Sequence, residues 1–395
     1  MKKFLPWIIV GLLLRLVLIP ASLHPDFRAV NLAGYLISQR GQLFNFYDFL
    51  SQQPRNDPWV LLYGDNLFIY PPLAYITHAL FNSLLFWAYP QNAFFTLLTD
   101  IGRLRLDSGF PLLMYLLKLP YLLADIGCFV LLSKILSAKA KKPGLLFWLF
   151  NPVTIYTSYL MGQFDIFIAL FILLAVAFLG KKSWISPLML GIGAGFKPFI
   201  LILAPFLPGN IWKNALIAVS TYIVLLLPFI ASPAFRQYAL LASQSDKLLF
   251  AKIMISGSQY IPIFILSLIL AFWWRYLKPA ALSSSGWLTV PLLLFYSFTH
   301  FHPQWFVWAM PLLTISFGNI KAARLPILLL LASFVGIVLF FESSLNFGLF
   351  NINIYLPSLI NKYYSSDQLI SIIRGVFAAT AFYLITVFPA FKEDK

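Results

Sequence analysis

The chain has 395 residues, of which 61% are hydrophobic, 18% aromatic and only 10% charged, against about a quarter charged in an ordinary soluble domain. Such a composition excludes a water-soluble fold, and apolar runs such as 166–180 and 324–341 match the about 20 residues that a bilayer core of about 30 Å requires. The 28 Lys and Arg exceed the 13 Asp and Glu by 15 charges, but most cations sit between apolar segments, which points to membrane topology and not to nucleic acid. The single cysteine, Cys128, excludes an intramolecular disulfide framework and a cysteine-based zinc site.

The first twenty residues have the charged start and apolar run of a signal peptide, but the small-residue cleavage site is poor, so a retained first span over 4–21 is expected. With Lys2 and Lys3 on the inner side, spans follow near 110–133, 145–160, 165–180, 185–196, 198–209, 214–231, 260–274, 286–300, 305–318, 325–341 and 368–390. The fold expected is therefore an all-α polytopic membrane protein, one integral domain of about 12 transmembrane helices, with 185–209 either two short spans or a re-entrant hairpin. Lys134, Lys139, Lys141, Lys142, Lys181, Lys182, Lys213, Arg275, Lys278, Lys321, Arg324, Lys392 and Lys395 then fall inside. Asp26, Asp48, Asp57, Asp65, Asp165, Asp246, Glu342 and Asp367 fall outside. Residues 22–109 form a large extracytoplasmic loop, because a span at 70–89 would invert every later loop; its Pro-Pro start, His78, Asn82 and aromatics suit an interfacial helix. A second external segment, 232–259, carries Arg236, Lys247 and Lys252 and is placed on the membrane surface.

The candidate chemistry gathers at the outer ends of these spans. His24-Pro25-Asp26-Phe27 follows the first span, and Asp26 there is either a general base or a helix N-cap. Asp65 and Tyr70 belong to a stiff turn leading into Pro71-Pro72, and Gln163 and Asp165 reach the same external level as Asp26. Gly195-Phe196-Lys197-Pro198 and His300-Phe301-His302-Pro303 are external turns that put cations and donors beside those carboxylates. Taken singly, such a His is an interfacial hydrogen-bonder and such a Lys a snorkelling cation. Asp125 lies inside the second span, where an unpaired charge costs at least about 2.5 kcal/mol, so it has either a structural polar partner or a function. Arg15 sits nearer the outer surface, and that depth argues against their pairing. Arg103, Arg105, Lys118, Arg236 and Arg374 exceed what topology needs and suit a lipid phosphate, or anionic head groups without any enzyme. Gly191 and Gly195 read as a helix-packing GxxxG. There is no P-loop, GxGxxG, His-Glu-x-x-His or Asp-x-Asp.

The motifs, in order, resemble those of the GT-C superfamily of polytopic glycosyltransferases. His-Pro-Asp-Phe at 24–27 looks like the first-loop acidic motif, and Tyr-Pro-Pro-Leu-Ala-Tyr at 70–75 is similar to a motif of dolichyl-phosphate-glucose-dependent glucosyltransferases. Ala124-Asp125-Ile126, Gly162-Gln163-Phe164-Asp165, Phe196-Lys197 and His300-Phe301-His302 resemble later motifs. The resemblance spans roughly residues 20–310 and extends in outline to GPI mannosyltransferase I and prokaryotic mannosyltransferase-like proteins. Pro303-Gln304 after His302 and Arg28 after the first-loop Asp depart from the glucosyltransferase pattern, so donor and acceptor contacts differ.

The resemblance implies an inverting transfer of a hexose from a polyprenyl-phosphate donor to a lipid-linked, glycan or protein acceptor at the extracytoplasmic face. Asp26 would be the base; Lys197, His302, Arg103, Arg105 and Arg374 would hold the donor phosphate; Asp65, Tyr70, Gln163, Asp165 and His300 would orient sugar and acceptor. No cofactor is expected, and a divalent metal only if scattered carboxylates supply it. Short later loops favour a plasma membrane, or the endoplasmic reticulum in a eukaryote. A transporter or lipid-linked-sugar flippase is the rival reading, and an inactive scaffold of the same fold a third.

Overall fold

The computed structural model describes residues 4–180, 184–240, 247–350 and 352–388. Lys2, Lys3, Lys181, Lys182, Asp246, Lys392 and Lys395, which enter the topology expectation, lie outside the described residues. In chain order α1 (Leu5–Leu18) and α2 (Phe27–Arg40) precede α3 (Pro58–Tyr63), α4 (Pro72–Leu85), α5 (Gln91–Thr99) and α6 (Ile101–Leu104). Next come α7 (Phe110–Ile135), α8 (Ala138–Phe150), α9 (Pro152–Ile155), a π turn (Tyr156–Met161), α10 (Asp165–Ala177) and α11 (Ile185–Ala194). A 3-10 run (Pro198–Phe206) leads to α12 (Ile211–Leu226), and an antiparallel hairpin of β1 (Lys252–Ser256) and β2 (Gln259–Pro262) leads to α13 (Ile263–Leu277). The chain ends through α14 (Ser284–Phe298), a 3-10 run (Pro303–Ala309), α15 (Met310–Asn319), α16 (Lys321–Leu339), α17 (Leu356–Ile360) and α18 (Ser366–Val387).

The structure is 75% helical, and among the described residues four helices are long and apolar enough to cross a membrane: Phe110–Ile135, Ile211–Phe229, Lys321–Leu339 and Ser366–Val387. The expected count of twelve is not confirmed: Leu5–Leu18, Asp165–Ala177, Ile185–Ala194 and Ile263–Leu277 are apolar but shorter, and elsewhere proline interrupts the run. Asn151-Pro152 breaks 145–160 into α8, α9 and the π turn. Pro198 and Pro205 leave 198–209 as a nine-residue 3-10 run, which at about 2.0 Å per residue is only about 18 Å long. Pro303 does the same at the start of 305–318. An apolar run is legible from hydropathy, but proline removes the backbone donor that a continuous α-helix needs.

Large apolar side chains are exposed along much of the bundle, and a smaller set of polar ones is buried within its apolar core. Trp212 and Leu325 are 74% and 75% exposed, while Asp125 and Asp165 are buried. α2 and α4 pack closely because Gly34 lacks a side chain: a Cβ there would meet the Asn82 amide nitrogen at 2.6 Å. His78 and Asn82, expected at an interface, face inward instead; His78 contacts the Tyr121 hydroxyl at 2.6 Å, while Leu80, Ser83, Leu84 and Trp87 are exposed. Gly191 meets α12, where a Cβ would stand 2.5 Å from the Ala218 carbonyl oxygen.

Arg15 and Asp125 pair at 2.5 Å, against the depth expectation. Lys118 of α7 donates to the carbonyls of Ile19 and Ser22, so the stretch 110–117 stands beyond the end of α1, and depth counted from Phe110 was overstated. Side chains also lean toward the N-terminus of their own helix. In this antiparallel pair the guanidinium and the carboxylate therefore lean toward each other. Trp148 Nε1 at 2.7 Å and the Tyr159 hydroxyl at 2.6 Å complete the donors on Asp125. With three donors on a buried carboxylate, Asp125 ties α1, α7, α8 and the π turn together.

Candidate functional site

Proline and glycine set the site's backbone. Pro71 and Pro72 start α4 and leave Tyr70 at the head of a rigid turn, whose carbonyl accepts from the Tyr47 hydroxyl at 2.6 Å. Gly162, at φ +77°, ends the π turn in the left-handed region that other residues avoid, and so aims Gln163 and Asp165 inward. Lys197 is extended, at φ −152°, immediately before the 3-10 run. These three turns meet.

Lys197 Nζ lies 2.7 and 2.9 Å from the two Asp165 oxygens, and Trp308 Nε1 donates to the same carboxylate at 2.7 Å. The ammonium is surrounded by the rings of Phe164, Tyr70, Trp305 and Trp308 at 4.9 to 5.6 Å from their centroids, an arrangement that stabilises a desolvated cation. Lys197 was expected to be a free phosphate ligand. Its charge is instead balanced by Asp165, which leaves one of three ammonium N–H groups for anything else.

Lys197 and Lys247 stand at one end of a cavity of about 340 Å³ whose remaining walls are apolar, including Ile202, Leu248, Phe264, Leu268 and Phe295. Lys247 contacts His302 Nε2 and lies 5.1 Å from the Trp305 ring. Burial, helped by the nearby charge of Lys197 and opposed by Asp26, pushes the Lys247 ammonium down to about 8. Burial and the neighbouring cations, Lys247 first, push the His302 imidazole down to about 3. His302 is therefore neutral, and with Nε2 accepting from Lys247 its proton sits on Nδ1.

Asp26 stands at the N-cap position of α2 but makes no capping bond, so the N-cap alternative is not realised. Its side chain is 45% exposed, and His24 Nδ1, 3.6 Å away, accepts the Asp26 backbone N–H at 3.2 Å. Burial holds the His24 imidazole below its usual range, against the charges of Asp26 and Glu342. Gln163 reaches His24 Nδ1 at 3.5 Å. Among the described residues no donor is bound to the Asp26 carboxylate, and its charge acts on both Lys197 and Lys247.

The remaining expected residues are placed differently. Asp65 is exposed and lines neither cavity. Arg103 is an exposed partner of Asp100 at 3.3 Å, Arg105 donates to the Leu349 carbonyl, and Arg236 donates to the carbonyls of Ile230 and Ala231. Lys118 is consumed by three carbonyls, the third from Tyr159 at 2.7 Å. Arg374 lines a second cavity with His300, His302 and Glu342, across His302 from Lys247 and apart from Lys197. In segment 232–259 the apolar Ile253, Met254 and Ile255 of β1 are exposed.

Sequence reasoning passed over Lys247, Trp305, Trp308 and Glu342 as site residues. The one local signal was a lysine set against Leu248-Leu249-Phe250, where solvation is poor. Among the described residues no three His, Cys, Asp or Glu side chains come together in a way that would hold a metal. No protein-family model, curated protein or solved structure matches the chain.

Proposed function

We propose that this chain is a membrane-embedded glycosyltransferase that moves a hexose, mannose or glucose, from a polyprenyl-phosphate donor to a hydroxyl of a lipid-linked, glycan or protein acceptor. One juxtaposition carries the reading. An apolar cavity ends at two ammonium groups, and the Asp26 carboxylate, to which no donor is bound among the described residues, lies within their field. A prenyl chain suits the apolar walls. A phosphate suits Lys247 better than Lys197, whose charge Asp165 already balances.

In the proposed step the acceptor oxygen attacks the anomeric carbon on the side opposite the phosphate, and the carbon–oxygen bond to phosphate breaks. Its electron pair leaves on the polyprenyl phosphate, the hydroxyl proton passes to Asp26, and the configuration inverts. A positioned base of this kind contributes about 10² to 10⁴ in rate. Lys247, the remaining N–H of Lys197 and the Nδ1–H of His302 stabilise charge on the departing phosphate. Tyr70 lines the cavity and Gln163 reaches His24 beside Asp26, and both would orient hydroxyls. The reading includes a GT-C-like bundle of about twelve crossings, some built from proline-broken helices, with the site on the extracytoplasmic side of a plasma membrane.

The test uses the protein in lipid nanodiscs with radiolabelled polyprenyl-phosphate mannose or glucose and a membrane-lipid extract as acceptor source. Label appearing in a new glycosidic product supports transfer. Label that crosses the bilayer of proteoliposomes with no bond formed would overturn the reading in favour of a flippase.

A further inference from the structure

We propose that the second cavity, between the ends of α16 and α18, binds a neutral sugar, and that this sugar is the acceptor; the second half of the statement rests on the transferase reading above. The cavity has a volume of about 380 Å³ and is lined by His300, His302, Phe341, Glu342 and Arg374 beside apolar residues such as Ile337 and Ile370. Of the five surplus cations noted in the sequence, Arg374 is the one that faces a cavity; the other four are occupied by a carboxylate or by backbone carbonyls.

The chemistry of the lining selects the ligand. Arg374 offers donors only and Glu342 acceptors only. Among the described residues they form no ion pair with each other, and the Glu342 side chain makes no capping bond to the 3-10 turn it precedes. Burial and the charges of Arg374 and Lys247 push the His300 imidazole below its usual range and so favour the neutral form, which has one donor and one acceptor. An anion would be repelled by Glu342 and a cation by Arg374. Adjacent sugar hydroxyls, each both donor and acceptor, satisfy the mixed set, and the Phe341 ring, 5.7 Å from the His300 ring, offers an apolar face to a pyranose.

His302 is the shared wall. It lines this cavity, and its Nε2 meets Lys247, which lines the other. The charges of Glu342 and Asp26 both act on His24. A hydroxyl presented from the second cavity thus meets the polar end of the first beside the carboxylate proposed as base.

The experiment measures saturation-transfer NMR of methyl α-mannopyranoside and methyl α-glucopyranoside on the full chain in nanodiscs, with thermal unfolding as the folding control. At least one glycoside is expected to bind the unaltered protein. Arg374→Gln and Glu342→Gln should each weaken that binding about tenfold or more, as loss of a charged hydrogen bond does, while Lys213→Gln, at an exposed position that lines neither cavity, leaves it within twofold. In the transfer assay the same two variants should raise the acceptor KM and leave the donor KM unchanged. Absence of glycoside binding, or equal binding by folded Arg374→Gln and Glu342→Gln, overturns the site. If the glycosides bind as expected but no hexose is ever transferred, the sugar site stands and the transferase reading, with the acceptor role, falls.

Discussion

Lys247 donates to the Nε2 of His302, so a cation that lines the first cavity fixes the tautomer of a histidine that lines the second. Because Lys247 is pushed down to about 8, its charge is at risk within an accessible pH range. Below that value the ammonium is present and a phosphate is held; above it the amine is neutral and the attraction is lost. Affinity for a short-chain prenyl phosphodiester sugar, whose phosphate keeps one charge throughout, should be flat from pH 6 to 7 and fall up to about tenfold per unit above 8. Lys247→Arg should abolish the fall, because a guanidinium stays charged. A flat profile in the unaltered protein would remove Lys247 from phosphate binding.

Asp26→Asn should lower transfer by about 10² to 10⁴ while leaving binding of the phosphodiester donor within twofold. Single-turnover measurement with saturating donor separates the two. Undiminished turnover would show that another group takes the proton.

The Lys197–Asp165 pair is buried, bidentate and closed by Trp308. Removing one partner strands the other, so Lys197→Met should cost about 3 to 5 kcal/mol. Lys197→Met with Asp165→Asn should recover much of that, because no net charge is left buried. Thermal unfolding in detergent of the two variants reads the difference; equal midpoints would mean that the pair is not what holds the turns together.

Asp125→Ala should be at least as damaging, since it leaves Arg15, Trp148 and Tyr159 without their common acceptor. Trp148→Phe removes one donor of the three and should cost only about 1 to 2 kcal/mol. The ordering of the two unfolding midpoints is the check.

Much of the site was legible because its turns are built from proline and glycine, which fix the chain locally. Tyr70 before Pro71-Pro72, Asp165 after Gly162 and Lys197 before Pro198 were all singled out, and the structure brings Tyr70, Asp165 and Lys197 together. What was not legible depends on long-range register. Arg15 and Asp125 were separated because α7 was taken to begin level with the end of α1, whereas Lys118 shows how far it overhangs. Lys247 and Glu342 carry no local motif, and only the tertiary fold brings each beside His302. The broken segments were not legible for a different reason: Leu, Ile and Phe are equally apolar in an α-helix and in a 3-10 run, so hydropathy passes over Pro198, Pro205 and Pro303.

The partner of Arg15 stands 110 residues further along the chain. During biosynthesis α1 is therefore made long before the carboxylate that neutralises it, and its guanidinium is costly to release into hydrocarbon alone. The nascent first helix should linger at the insertion machinery, or beside a chaperone that lends it an acid, until α7 has been synthesised. Ribosome-stalled chains ending before and after Asp125 would differ in how readily α1 crosslinks to lipid.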